Sequence, residues 1–221
     1  MLTIRLLGPL HLDINGEPVG SFRSSKALAL FIYLAHTGQP HPREILADLL
    51  WDSSSTGQAL SNLRTVLTQL RPKLGDYLLS EGSTLAFNAA LPHRLDTAVL
   101  QTELAALPNQ LTGLNAARLE TALQAYQGDF LEDFLVRQAD RFNEWVLIER
   151  ERLRRQVLVA WQQLTHFFLQ ENDYAAAIRA ATHWLALDEL DEAAHRSLMQ
   201  ALALSGQRSA ALQQYETCLT L

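Results

Sequence analysis

Between Gln58 and Arg71 one face of the chain carries side chains suited to reading a nucleic acid. Wound at roughly 100° per residue, the segment gathers Leu60, Leu63, Leu67 and Leu70 into one stripe and turns Gln58, Ser61, Asn62, Thr65, Thr68 and Gln69 away from it. Arg64 and Arg71 stand on the flank, and the outer face is acid-poor. Arg, Asn and Gln form paired hydrogen bonds with base edges in a major groove, and Ser and Thr hydroxyls reach phosphates. Taken alone, such a helix is also an ordinary amphipathic surface helix. The elements around it therefore decide.

Other chemistries find less support. No nucleophile stands with a base, and neither G-x-x-x-x-G-K nor G-x-S-x-G occurs. His36 and His41 flank the Gly38–Pro40 turn, and His183 and His195 fall on separate helices, so they read as surface or helix-end histidines. The run Glu149-Arg-Glu-Arg-Leu-Arg-Arg155 alternates sign at spacings of three and four, the pattern of a solvated, ion-paired helix face. Cys218 is the single cysteine, which excludes an internal disulfide and a thiolate metal cluster and agrees with a reducing compartment. The expectation is a protein that is not an enzyme, with no catalytic residues, no cofactor and no metal.

The segments that must position the polar helix can be followed in order. Leu2, Ile4 and Leu6 alternate with polar residues, Gly8-Pro9 breaks the run, and Leu10, Leu12 and Ile14 lead to the turn signal Asn15-Gly16. From Ser24 or Ser25 the period becomes helical, with Leu28, Phe31, Ile32 and Ala35 on one stripe and Gly38 and Pro40 ending it. A second helix over Pro42 to about Trp51 buries Ile45, Leu46, Leu49 and Leu50. The polar loop Asp52–Gly57 supplies caps for the third helix, which Pro72 ends or kinks. Tyr77–Ser80, a turn at Glu81-Gly82-Ser83 and Thr84–Phe87 then form a hairpin.

After Leu91-Pro92 the pattern is helical throughout, near 96 to 107, 114 to 126 and 139 to 170, with a Gly128-Asp129 break and no further strand signal. Asn172-Asp-Tyr-Ala-Ala-Ala-Ile178 and Gly206-Gln-Arg-Ser-Ala-Ala-Leu212 lie 34 residues apart, and Leu164/Leu198 and Leu185/Leu219 share that offset. The period resembles the tetratricopeptide repeat over residues 161 to 221, a helix-pair stack whose alanines allow close approach. The last repeat helix is still running at Leu221, which suits a capping helix or a longer natural chain.

Composition agrees with a core-forming chain: of 221 residues, 48% are hydrophobic and 19% charged. The longest uncharged apolar stretch, Ala27–Ala35, is too short to cross a bilayer, and no signal peptide is evident, so a cytoplasmic protein without a membrane partner is expected. The net charge of −6 is unevenly placed. Residues 1–95 hold eight basic and seven acidic residues, whereas 96–221 hold ten and seventeen, and sixteen of the eighteen basic residues are Arg.

Leu6-Leu-Gly-Pro-Leu10, Asn15-Gly-Glu-Pro-Val19, Lys26-Ala-Leu28, Ile45–Trp51 and Ala59–Arg71 together resemble the N-terminal half of the Streptomyces antibiotic regulatory protein (SARP) family, an OmpR-like winged helix. The stretch from Leu95 through Gly128-Asp-Phe-Leu131, Glu149–Leu153 and the final repeat resembles the bacterial transcriptional activator domain that follows it. The resemblance implies an α+β winged helix over 1–95, followed by an all-α tetratricopeptide-like domain over 96–221. It further implies sequence-specific binding of double-stranded DNA and activation of transcription through RNA polymerase. Carried onto this chain, it makes Gln58–Arg71 the recognition helix, Asp52–Gly57 the loop facing polymerase and Tyr77–Phe87 the wing. The DNA-binding residues expected are Gln58, Ser61, Asn62, Arg64, Thr65, Thr68 and Arg71. This wing carries Glu81-Gly-Ser83 where family wings carry a basic or Gly-Tyr tip, which implies modest affinity per protomer, dimers or repeated sites, and strong salt dependence. A homodimer through the helical domain is compatible with such a stack. The alternative is an interaction scaffold that uses the helical repeats and whose winged helix no longer binds DNA.

Overall fold

A computed structural model describes residues 1–106 and 111–220. The chain divides into two compact units, Met1–Val99 with Gln127–Arg150, and Leu100–Tyr126 with Glu151–Leu221. Sequence reasoning divides the chain at Leu95, whereas the structure gives residues 127–150 to the N-terminal unit.

The N-terminal unit opens with β1 (Leu2–Arg5), β2 (His11–Ile14) and β3 (Glu17–Pro18), antiparallel neighbours in register Leu2↔Ile14 and Ile14↔Glu17. Asn15 and Gly16 both take positive φ, 54° and 86°, as a two-residue turn between right-twisted strands requires. Helix α1 (Ser25–Thr37) follows, capped by the Ser24 side chain and ended by Gly38 at φ 64°. Its apolar surface is wider than the expected stripe, because Ala27, Ala29, Leu30, Phe31, Ile32, Leu34 and Ala35 are all buried and Leu28 only half so. Two-residue β4 (His41–Pro42) leads into α2 (Arg43–Leu50), which buries Leu46, Ala47 and Leu50. Ile45, expected in that face, is 54% exposed.

Helix α3 spans Thr56–Leu74, longer at both ends than the sequence suggests. Pro72 lies inside it and does not end it. The hydrogen bond that proline removes is the one to the Thr68 carbonyl, one turn back on the exposed side near the helix C-terminus, where its loss costs least. A 3-10 turn (Gly75–Tyr77) connects to the hairpin β5 (Leu78–Glu81) and β6 (Thr84–Phe87), paired Leu78↔Phe87 through Glu81↔Thr84. β4 adds to the other edge of β6, giving the sheet order β4-β6-β5.

A further strand, β7 (His93–Leu95), stands where no strand was expected and pairs parallel with β1, completing the order β3-β2-β1-β7. It carries the chain directly into α4 (Asp96–Ala105). The end of the expected helix at residue 107 lies outside the described residues, as does Leu221.

The segment 127–150 is tied to the N-terminal strands through backbone. Leu7 and Phe130 form a β-bridge, the Gly8 amide donates to the Asp129 carbonyl (3.0 Å), and the Leu131 amide donates to the Leu6 carbonyl (2.8 Å). A Cβ on Gly128 would stand 3.1 Å from the Gly8 Cα, and Gly8 holds φ 104°, so two glycines far apart in sequence permit one close approach. We expect Gly8→Ala to cost about 1–3 kcal/mol through forced left-handed backbone, read as a lowered midpoint in chemical denaturation. An unchanged midpoint would contradict this role.

From Asp140 the long helix α6 (Asp140–Gln170) begins. The run Glu149–Arg155 is only partly the solvated face expected of it. Glu149 Oε2 lies 3.2 Å from His36 Nε2, and the Arg150 guanidinium donates to the carbonyls of Phe130, Leu131 and Glu132. Leu131 has φ 52°, and Arg150 closes over that left-handed turn. Arg155 and Glu151 do form the exposed pair of the expected kind, at 3.1 Å.

In the second unit α5 (Gly113–Leu123) buries Ala116, Leu119, Ala122 and Leu123, and α7 (Tyr174–Leu187), α8 (Glu192–Leu204) and α9 (Arg208–Thr220) form the repeat. The 34-residue period holds in the backbone itself. Asn172 and Gly206 take φ 60° and 85°, and the Asp173 and Gln207 amides donate to the Phe168 and Leu202 carbonyls, each pair one period apart. This is the left-handed helix end that Asn and Gly adopt most readily.

His36 stands at a helix end as expected, in the last turn of α1, but its side chain is only 4% exposed, and His195 is buried rather than at the surface. The His36 ring meets Thr97 Oγ1 (3.1 Å) and Glu149 and stacks beside Phe130, whereas His195 meets the Glu189 carbonyl (2.8 Å) and Gln214 (2.6 Å). Hydrogen bonds at both ring nitrogens make such burial affordable.

Candidate nucleic-acid interface

Helix α3 is held by α1 and α2. Its inner side buries Ala59, Leu63, Val66, Leu67, Leu70 and Leu74, and the Ser55 hydroxyl caps it by accepting from the Gln58 amide (3.4 Å). The connection from α2 runs over Trp51–Ser55, so Thr56 and Gly57, expected in the loop, are the first helical residues. That connection is pinned at its start. Lys26 Nζ donates to the Leu50 and Gln138 carbonyls (2.6 Å each) and lies 5.2 Å above the Trp51 ring, while Asp52 accepts from the Arg141 amide (3.0 Å). Arg141 also pairs with Asp48. Burial lowers the Lys26 pKa, and the carboxylates of Asp52 and Asp140 oppose the shift.

The seven residues expected to meet DNA fall on one continuous outer surface. Gln58, Ser61, Arg64, Thr65, Thr68 and Arg71 are exposed and Asn62 is half-buried. Gln58 Nε2 donates to Asn62 Oδ1 (2.9 Å), which fixes two amide groups side by side. The hydroxyls of Thr65 and Thr68 donate back to the carbonyls of Ser61 (3.2 Å) and Thr65 (2.7 Å). No described carboxylate pairs with Arg64 or Arg71. Two guanidiniums without counter-charge on an acid-free face form a site that seeks an anion.

The wing is fastened to α2. The Arg43 guanidinium donates to Ser80 Oγ (2.6 Å), and the Arg43 amide donates to the Ser83 carbonyl (2.8 Å). Gly82 holds φ 53° at the hairpin turn, and Glu81 ends β5 in an exposed position. Gln69, grouped by its phase with the outer face, instead turns inward far enough to bury Oε1 without a partner. Sequence reasoning also passed over Arg23 and Lys73, which line one cleft with Gln69 in the folded unit. Their signal was weak because Arg23 lies just ahead of the first helix, which the pattern begins at Ser24 or Ser25, and Lys73 lies beyond the expected end of the third helix at Arg71.

The family model for the bacterial transcriptional activator domain matches residues 95–221. Among solved structures, Mycobacterium tuberculosis EmbR, determined in complex with a low-affinity phosphopeptide, superposes with a TM-score of 0.70 at 21% identity over 99% of this chain. The present chain spans 59% of the length of that one, and the likeness is one of fold, a winged helix followed by a helical domain. No curated protein sequence matches. The domain matched and the winged helix ahead of it agree with the SARP resemblance carried by the sequence blocks, and the chain therefore belongs to the bacterial transcriptional activator domain family.

Proposed function

We propose that the protein binds double-stranded DNA sequence-specifically through α3 and activates transcription by contacting RNA polymerase. The observation that carries the reading is the outer face of α3, where Arg64 and Arg71 have no counter-charge among the described residues and Gln58 and Asn62 present paired amides. In this reading the amides and arginines address base edges and Ser61, Thr65 and Thr68 approach bases or phosphates. The connection between α2 and α3, pinned through Asp52, is the rigid surface offered to polymerase. The protein works in the cytoplasm, where DNA and polymerase are, and needs no cofactor. Titration with duplex DNA at low and moderate salt tests the reading. Retention of specific fragments at moderate salt supports it, and complete release of all fragments favours an interaction scaffold built on the helical repeats.

Pairing of two protomers through the helical unit supplies the second half-site that modest affinity per protomer calls for. Leu212, Tyr215 and Leu219 support this, forming an exposed stripe on α9, a helix with no buried residue. One repeat earlier the matching positions Ile178 and Leu185 pack against the cluster of Ala181, Leu198 and Leu202. Replacing both Leu212 and Leu219 by Glu is expected to convert a dimer to monomers in sedimentation equilibrium with helix content unchanged. A wild type that is already monomeric would contradict the pairing.

A further inference from the structure

A cleft of about 460 Å³ opens beside α3, lined by Ser21, Phe22, Arg23, Thr68, Gln69 and Lys73. Lys73 Nζ is fixed there, donating to the carbonyls of Gly20 (2.7 Å) and Ser21 (2.8 Å) and lying 4.9 Å above the Phe22 ring. An ammonium has three donors, so the third remains for a ligand. Arg23 is exposed, and no described residue pairs with it. Gln69 lines the cleft as well, with its Oε1 buried and without a partner, and serves as wall. The Thr68 hydroxyl hydrogen is committed to the Thr65 carbonyl, so Thr68 shapes the wall rather than donating. Two cations, Arg23 and Lys73, thus line one open cleft, donors suited to a tetrahedral oxyanion.

The position of the cleft identifies the anion. At about 100° per residue, Lys73 lies roughly 180° around α3 from Arg64, across the outer face that Gln58, Ser61 and Thr65 occupy. A helix lying in a major groove has a sugar-phosphate backbone on each side. We propose that the cleft at Arg23, Gln69 and Lys73 takes a phosphodiester of the strand opposite the one that Arg64 and Arg71 reach, so that α3 is clamped on both flanks. The inference rests on the DNA-binding reading above and adds residues to it.

The test compares wild type, Arg23→Gln and Arg23→Lys on duplex DNA across a range of salt concentrations. Arg23 is exposed, so all three unfold at the same temperature. Losing one phosphate contact makes the plot of log affinity against log salt shallower by about one and weakens every sequence about fivefold at roughly 0.15 M salt, with base preference unchanged. Arg23→Lys restores the slope. A scan of duplexes with single neutral methylphosphonates finds one position that weakens wild type and leaves Arg23→Gln unaffected. If wild type binds DNA and Arg23→Gln keeps its slope, the cleft assignment is overturned while the DNA-binding reading stands. Inorganic phosphate seen by NMR to bind the cleft under that condition marks a free-anion site and likewise overturns it. If wild type binds no DNA, both readings fall together.

Discussion

Arg64→Ala binds selected promoter DNA about ten- to a hundredfold more weakly than wild type, with an unchanged unfolding midpoint. A bidentate arginine contact with a base edge contributes about 1–3 kcal/mol of discrimination, which sets the size of the loss. Stability is unaffected because the Arg64 side chain is exposed and without a described partner in the free protein, and such surface substitutions shift stability by no more than about 0.5 kcal/mol. Arg64→Ala should also relax the preference at one base position, whereas Arg23→Gln weakens all sequences alike. Specific binding by Arg64→Ala at wild-type affinity would remove Arg64 from the interface.

Asp96→Ala unfolds the protein far more easily than any surface change, by on the order of 3 kcal/mol or more. The Asp96 carboxylate is buried where β7 passes into α4 and accepts from three backbone amides, Leu6 (2.8 Å), Leu7 (3.0 Å) and Thr97 (2.7 Å). Alanine leaves those buried N–H groups without an acceptor, each at a cost of about 1–3 kcal/mol before relaxation. Desolvation raises the Asp96 pKa, and the three amides and His36 oppose the rise without cancelling it. Because the folded group holds its proton more tightly than the unfolded one, its contribution favours folding at acid pH. That contribution is lost as pH rises from the ordinary carboxylate range through the raised folded value. Asp96→Asn abolishes this segment of the pH dependence. Denaturant unfolding of wild type and both variants between pH 3 and 7, on the order of one-unit steps, measures size and sign together. Equal stability of Asp96→Ala and wild type would contradict the account.

What the sequence made legible was local or repeated. Asn15-Gly16 announces its turn because those two residue types tolerate the positive φ that the hairpin imposes, and Ser24 and Gly38 bracket α1 by capping chemistry confined to one turn each. The 34-residue period was visible because Asn172 and Gly206 answer the same backbone demand. The outer face of α3 was legible for the same reason, since helical phase alone sorts Arg64 and Thr65 from Leu63 and Leu67.

What escaped depends on partners distant in the chain. The strand β7 has three residues and no alternation, and it exists because β1 offers a parallel edge some ninety residues earlier, in register Leu2↔His93. Gly128 reads as a break, but its place in the N-terminal unit depends on the contact with Gly8. His36 meets Thr97 and Glu149 only after three separate segments assemble. The cleft at Arg23 and Lys73 joins a loop and a helix end fifty residues apart in sequence. Pro72 fails to end α3 for a different reason, because the rule against proline in helices weakens in the last turn, at an exposed position two residues from the helix end.

The most direct test of DNA reading by α3 is selection of bound fragments from a random duplex pool at low and moderate salt, with Arg64→Ala carried in parallel. The account predicts a recurring motif that survives moderate salt with wild type and is lost with Arg64→Ala. No enrichment at either salt by a folded wild-type protein would contradict it.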